Sequence, residues 1–183
     1  MPLAEQSDRE LVRLAGDGDL EAFAEIVRRH EQRLRIVLVR ILDDARDVEE
    51  AVQDAFVQAW RNLDRYRGDA ALFTWLYRIG VNTALARGRR RELSAVDLEL
   101  VASSSDGVAG PVEAAETGEL RARIVDALRA LPLDHREAVV LRDVAGLTNK
   151  EVADALGIGL AAAKSRIHRG RLQLRELLDG SDH

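Results

Sequence analysis

Between Lys164 and Arg175 the chain carries Lys164, Arg166, His168, Arg169, Arg171 and Arg175, donors suited to phosphate oxygens and base edges. At about 100° per residue, Ala161, Ala162, Ser165, Arg166, His168, Arg169 and Gln173 share one side of a helix. That side is small at its start and cationic afterwards, as a helix lying in a DNA groove requires. A second cluster, Trp75, Arg78, Asn82, Leu85 and Arg89, falls on one face of another helix and leads into Arg90-Arg91. Its arginines can neutralise phosphate, its amide can bond a base edge and its ring can stack on an unpaired base. Trp75 reads equally well as a core residue at the edge of that wheel. Tyr66, in the loop Arg65-Tyr66-Arg67-Gly68-Asp69 just ahead, is harder to place in a core. The third cluster is acidic. Asp47, Glu50, Gln53 and Asp54, with Val57, lie opposite an apolar stripe, as a solvated face or as a docking face for a basic helix. No nucleophile–base set is present, and four His without Cys make a zinc site a poor reading. No metal, no cofactor and no enzymatic activity are expected.

These side chains need helices to hold them. Thr148 and Glu151 fit a capping box, opening a short helix that buries Val152, Ala153 and Leu156. Gly157-Ile158-Gly159 supplies a turn. The basic helix follows from about Leu160, with Leu160, Ala163, Ile167, Gly170 and Leu174 inward. Together they predict a helix-turn-helix whose second helix reads DNA. Further back, Leu120, Ile124, Ala127, Leu128 and Leu131 form a helix that Pro132 stops. Asp134 is placed to cap the next, through Ala138, Val139, Leu141, Arg142 and Val144 to Gly146.

In the N-terminal half, Ser7 and Glu10 suggest a second capping box and a helix to about Ala15. Asp19 can cap a long helix to about Leu42, inward at Leu20, Phe23, Ile26, Val27, His30, Leu34, Val37, Leu38 and Ile41. His30 reads as a packed core-edge residue. After Asp43-Asp44 a third helix runs to about Leu63, burying Val48, Ala51, Val52, Ala55, Phe56 and Ala59. Asp69 is placed to cap a fourth, Ala70 to about Arg89, with Leu72, Phe73, Leu76, Ile79, Gly80, Thr83 and Ala84 inward. Residues 92–118, rich in Ser, Gly, Ala and acids, read as a flexible acidic linker, with room for a helical turn from Val96 to Val101. The fold class is therefore all-α: two small helical domains, 1–91 and 119–183, joined by that linker.

At 183 residues, two small domains fit the length, and aromatic residues at 4% favour helices over sheets. The net charge of −5 is unusual for a DNA binder, so its distribution decides. Basic clusters at Arg87–Arg91 and Lys164–Arg175 stand apart from acidic stretches at Asp43–Asp54 and Glu92–Glu119. Such separation suggests one polyanionic partner and one protein partner. MPLAEQSDRE has no signal-peptide pattern, and no apolar run reaches membrane-spanning length. The expectation is a cytoplasmic chain with no membrane contact.

Three segments in order resemble the extracytoplasmic-function sigma factors of bacterial RNA polymerase. They are DVEEAVQDAFVQAW (47–60), FTWLYRIGVNTALARGRRR (73–91) and LPLDHREAVVLRDVAGLTNKEVADALGIGLAAAKSRIHRGR (131–171). The resemblance implies a polymerase-docking face, with Asp47 on the same stripe as the matching Glu50, Gln53 and Asp54. It implies that Tyr66, Gly68 and Asp69 surround an extruded −10 base, and that Arg78 and Asn82, on the face of Trp75, contact the −10 element. It also implies that Lys164, Ser165, His168 and Arg169, with neighbouring Arg166, read the −35 element. Core RNA polymerase and promoter DNA are the implied partners, and an anti-sigma factor the implied inhibitor. Two departures stand out. Ala161-Ala162-Ala163 replaces the family's Gly-Thr-Val, removing a hydroxyl at the start of the reader helix, and Glu49-Glu50 stands where Glu-Asp is commoner. A stand-alone helix-turn-helix regulator is the alternative; the sequence offers it no clear heptad seam for dimerisation.

Overall fold

A computed structural model describes residues 2–42, 45–95 and 115–180. Every regular element in that range is helical: α1 (Asp8–Gly16), α2 (Leu20–Ile41), α3 (Ala45–Arg61), α4 (Leu72–Ala95), α5 (Ala115–Ala130), α6 (Leu133–Val139), α7 (Asn149–Leu156) and α8 (Leu160–Asp179). None of the described helices is long and apolar enough to cross a membrane.

The ends of these helices follow from local chemistry. Ser7 accepts a hydrogen bond from the Glu10 amide, but the Glu10 carboxylate turns to Arg13 instead of reaching back. The expected capping box is therefore half made. Asp19 accepts from the amides of Glu21 and Ala22, satisfying two free donors at the start of α2. Asp69 does not cap α4: the helix begins at Leu72, two residues beyond its reach, and Ala71 provides the first carbonyl. Asp134 does not cap α6 either, because Pro132 occupies the cap position and the Asp134 carboxylate accepts from the His135 amide. Helices α4 and α5 continue to Ala95 and back to Ala115, so each extends into the stretch read as linker. The turn suggested for 96–101 lies outside the described residues.

In the N-terminal half, α1 to α4 close around Leu11, Ala22, Ile26, Leu34, Leu38, Ala51, Ala55, Phe73 and Leu76. Small residues set the closest approach of α4 to α2 and α3. A Cβ on Gly80 would stand 3.4 Å from Leu38 Cδ1 and 3.5 Å from Ala55 Cβ. Leu20 was expected inward but is 68% exposed, whereas Ala22 in the same turn is buried. Tyr66 is not a free loop ring. It is half-buried, its hydroxyl donates to the Ala70 carbonyl at 2.8 Å and its ring lies 5.3 Å from that of Trp75.

The C-terminal half packs α6, α7 and α8 around Ala138, Val139, Val140, Leu141, Leu147, Val152, Ala163 and Ile167. Leu120 and Ile124 were expected inward; both are exposed, and among its described side chains α5 buries Ala127 and Leu128. Val144 and Leu160 are exposed as well. Behind α6 the chain loosens into a π-helical turn, Val140–Val144. The extra residue in that turn swings Val144 outward while Val140 and Leu141 stay buried.

The two halves touch. Arg136 is buried, and its guanidinium donates to the Ile41 carbonyl at the end of α2 (3.0 Å) as well as to Arg129 and Leu131. Arg33 lies 4.0 Å from the Phe73 ring centroid and donates to the Ala145 carbonyl. The hydroxyl of buried Tyr77 donates to Glu137 at 3.0 Å.

Candidate nucleic-acid interface

The C-terminal reader is built from both ends of a tight turn. Thr148 accepts from the Glu151 amide, while the Glu151 carboxylate accepts from the Thr148 amide at 2.7 Å, so the capping box is complete. Those bonds hold the Glu151 carboxyl below its usual range. Gly157 ends α7 at φ 64°, a left-handed conformation that glycine adopts without a Cβ penalty. Gly159 then opens α8 from extended backbone. Ala163, Ile167 and Gly170 face inward. Gly170 allows that close seat: a Cβ there would come within 2.6 Å of Val139 Cγ2 and 3.1 Å of the His135 carbonyl.

Ala161, Ala162, Lys164, Ser165, His168 and Arg169 are exposed along the opposite side. Arg166 is half-exposed and pairs with Asp134 at 3.5 Å, so its charge is partly committed within the module. Gln173, expected on the outer face, is half-buried, and its Oε1 accepts from His135 Nδ1 (2.6 Å). Two participants were missing from the sequence reading: Arg142 and Asn149. With Lys164, Ile167, His168 and Arg171 they line a notch of about 180 Å³. Arg142 donates to the Leu147 carbonyl, and Arg171 is held by Asp143 at 2.5 Å. Spacing along α8 could not have shown Arg142 or Asn149, because both arrive from α7 and the π turn.

In the N-terminal half, Trp75 is half-buried against the core, and Asn82 is exposed. Arg78 is half-buried, and its Nε donates to the Ala155 carbonyl on α7 at 3.3 Å. A cleft of about 450 Å³ between the halves is lined by Arg78, Asn82 and Leu85 on one side and Glu137, Leu156 and Gly157 on the other. Arg89, Arg90 and Arg91 belong to α4, but their side chains lie outside the described residues. Gly68 has φ 76°, which fixes the sharp loop between Tyr66 and exposed Asp69. Tyr77 lay between the two faces drawn from the sequence; the structure buries it almost wholly, and burial pushes its hydroxyl pKa well up. On α3, Glu50 and Gln53 are exposed and Asp47 and Asp54 half-exposed. All four lie on one side, opposite the buried Val48, Ala51, Val52 and Ala55.

A tight turn and a cationic second helix in one half, with an arginine–amide–aromatic face in the other, have the make-up of an all-helical DNA-binding protein. Comparison with known proteins narrows the class. Residues 26–93 match the family Sigma-70 region 2, and residues 121–174 match Sigma-70, region 4. The chain is 37% identical over 174 residues to the ECF RNA polymerase sigma-E factor of Escherichia coli, covering 90% of this chain and 91% of that one. It is 33% identical over 178 residues to the RNA polymerase sigma-H factor of Pseudomonas aeruginosa, covering 92% of each. Among solved structures it resembles CnrH in complex with the cytosolic domain of CnrY, with a TM-score of 0.72 and 31% identity over 97% of this chain and 100% of that one. It also resembles the sigma factor RpoE in complex with the anti-sigma factor NepR from Bartonella quintana, with a TM-score of 0.73 and 25% identity over 87% and 98%. The chain belongs to the extracytoplasmic-function sigma factors of bacterial RNA polymerase. Its function is that of a promoter-specificity subunit in transcription initiation, and the stand-alone regulator is set aside.

Proposed function

We propose that 1–91 and 119–183 act as separate promoter-reading modules, joined by 92–118 and fastened to core polymerase by the acidic side of α3. The observation that carries this reading is the separation of signs on the surface: carboxylates at Glu50 and Asp54 on α3, cations at Lys164 and Arg169 on α8. In this division of labour α8 enters the upstream major groove. Lys164 and Arg169 hold phosphate, Ser165 and His168 meet base edges, and Arg166 takes part once Asp134 releases it. Trp75, Arg78 and Asn82 address the −10 element, and Tyr66, Gly68 and Asp69 surround one base that has left the stack. Unstacking costs a few kcal/mol, which a fitted pocket offsets at the correct sequence. Asp47, Glu50, Gln53 and Asp54 present acceptors to a basic helical surface on the polymerase.

The protein does no bond-making of its own in this role and works in the cytoplasm, where polymerase and promoter are. An anti-sigma partner is inferred as its inhibitor, supported by the bound partners of the two similar solved structures. Run-off transcription with core polymerase on a promoter library tests the assignment. Glu50→Lys should abolish co-migration with core enzyme. Arg169→Ala should keep it but lose preference for the upstream element. Unchanged activity in both variants would refute the residue assignments.

A further inference from the structure

Arg166 faces two ways. It lies on α8 among the residues assigned to the upstream element, yet its Nε is 3.5 Å from Asp134 Oδ2 on α6. Asp134 and Glu137 both belong to α6, three positions apart, so they share one side of that helix. Glu137 in turn accepts a hydrogen bond from the Tyr77 hydroxyl of α4 at 3.0 Å. A polar path thus runs from the DNA-facing helix, through two carboxylates on α6, to the N-terminal half. Around Glu137 stand Tyr77 from α4, Asp134 and Arg136 from α6, and Arg166 from α8. Burial and Asp134 disfavour its charge, while Tyr77, Arg166 and Arg136 favour it. Arg136 is committed by hydrogen bonds to the Ile41, Arg129 and Leu131 carbonyls. Arg166, half-exposed on the reader, is the cation that DNA can draw away.

We propose that Arg166 couples upstream reading to release of the −10 face: when it turns to DNA, the α6 carboxylates lose its charge and the halves part. Its attraction for Glu137 is stronger where that carboxylate is packed against α4 than where water surrounds it. Losing the cation therefore costs the closed form more than the open one. Parting frees Arg78 from the Ala155 carbonyl and opens the cleft beside Asn82. The coupling is reciprocal, so an open chain also gives Arg166 to DNA more readily. This deepens the assignment of Arg166 to the upstream element and rests on it.

The test follows the distance between the halves in the full chain at neutral pH. The sequence holds no cysteine, so Gln58→Cys and Asp179→Cys, at two exposed positions, carry a donor and an acceptor dye. The probe is a saturating duplex that holds the upstream element of a promoter recovered by the run-off selection and lacks its −10 element. An exposed ion pair changes an equilibrium by up to about fivefold, so the duplex should raise the open-to-closed ratio about two- to fivefold. Arg166→Ala should raise that ratio as much without DNA, and the duplex should then add nothing. Arg166→Lys keeps the charge and should restore most of the duplex response. Glu137→Gln in the Arg166→Ala background should return the chain to the closed form. A duplex response as large in Arg166→Ala as in wild type, or none in wild type, overturns the coupling. Duplex affinity comes from the same titrations and tests the underlying reading separately. If Arg166→Ala binds the duplex as tightly as wild type, the reader assignment of Arg166 falls and the coupling with it. Weaker binding with an unchanged response strikes the coupling alone.

Discussion

Gly80 and Gly170 are both buried helical glycines, yet the same substitution should move stability in opposite directions. At Gly80 a methyl would meet Leu38 and Ala55 at 3.4 and 3.5 Å, ordinary van der Waals contact. Alanine there gains about 1 kcal/mol of helix propensity without crowding. At Gly170 the methyl would meet Val139 Cγ2 at 2.6 Å. Val139 is buried and β-branched, so it has little freedom to turn away. Overpacking of this kind costs about 1–3 kcal/mol, enough to cancel the propensity gain. Urea melts should give a higher midpoint for Gly80→Ala and a lower one for Gly170→Ala. Val139→Ala in the second background should recover part of the loss. If Gly170→Ala matches wild type, α8 does not sit on α6 as closely as these distances require.

The capping box of α7 is the element on which the reader helix turns, and its acid has a depressed pKa. The Thr148 amide and hydroxyl bond the Glu151 carboxylate, and these bonds favour its charged form. A lowered carboxyl pKa contributes stability at neutral pH that is lost as pH falls below the ordinary value of about 4.3. Glu151→Gln should therefore cost a few tenths to about 1 kcal/mol at pH 7 and progressively less as pH falls below the ordinary carboxyl range, measured by urea melts. A cost that does not change with pH would show that the charge is not what holds the cap. This box was legible in the sequence because all its partners lie within four residues. So were the Asp19 cap, the turn at Gly157, the apolar stripe of α3 and that of α8 from Ala163 onward. What stayed hidden depends on long-range partners. Tyr77 is buried because Glu137 meets it across 60 positions of chain. Arg136 can be buried because the Ile41, Arg129 and Leu131 carbonyls accept hydrogen bonds from its guanidinium. Asp69 and Asp134 have cap chemistry, but the helix starts were fixed by packing at Leu72 and by Pro132.

Considered as a whole, the molecule closes over part of the surface it would use on a promoter. Arg78 donates to the Ala155 carbonyl, and the cleft it shares with Asn82 and Gly157 holds about 450 Å³. That suits a small molecule and is too small for a strand with its phosphates. If Arg78 contacts DNA, α7 must first leave α4. The polar contacts across this boundary then set how easily the halves part, and Glu137 is the one that titrates. Burial, the largest cause, pushes its carboxyl up; the Tyr77 hydroxyl and the Arg166 and Arg136 guanidiniums oppose the shift. Opening relieves the burial, so the closed form binds the proton more tightly. Closure is thus strongest near the ordinary pKa of about 4.3 and weakens as pH rises through the raised value. Glu137→Gln keeps an acceptor for Tyr77 and removes the charge. The free variant should stay compact through pH 7.5 by small-angle scattering, while wild type expands as pH rises above the ordinary carboxyl range. Free promoter binding should fall for Glu137→Gln but recover in the double variant with Tyr77→Phe, which lacks the donor. A Gln variant that expands as wild type does would mean that Glu137 ionisation plays no part in separating the halves.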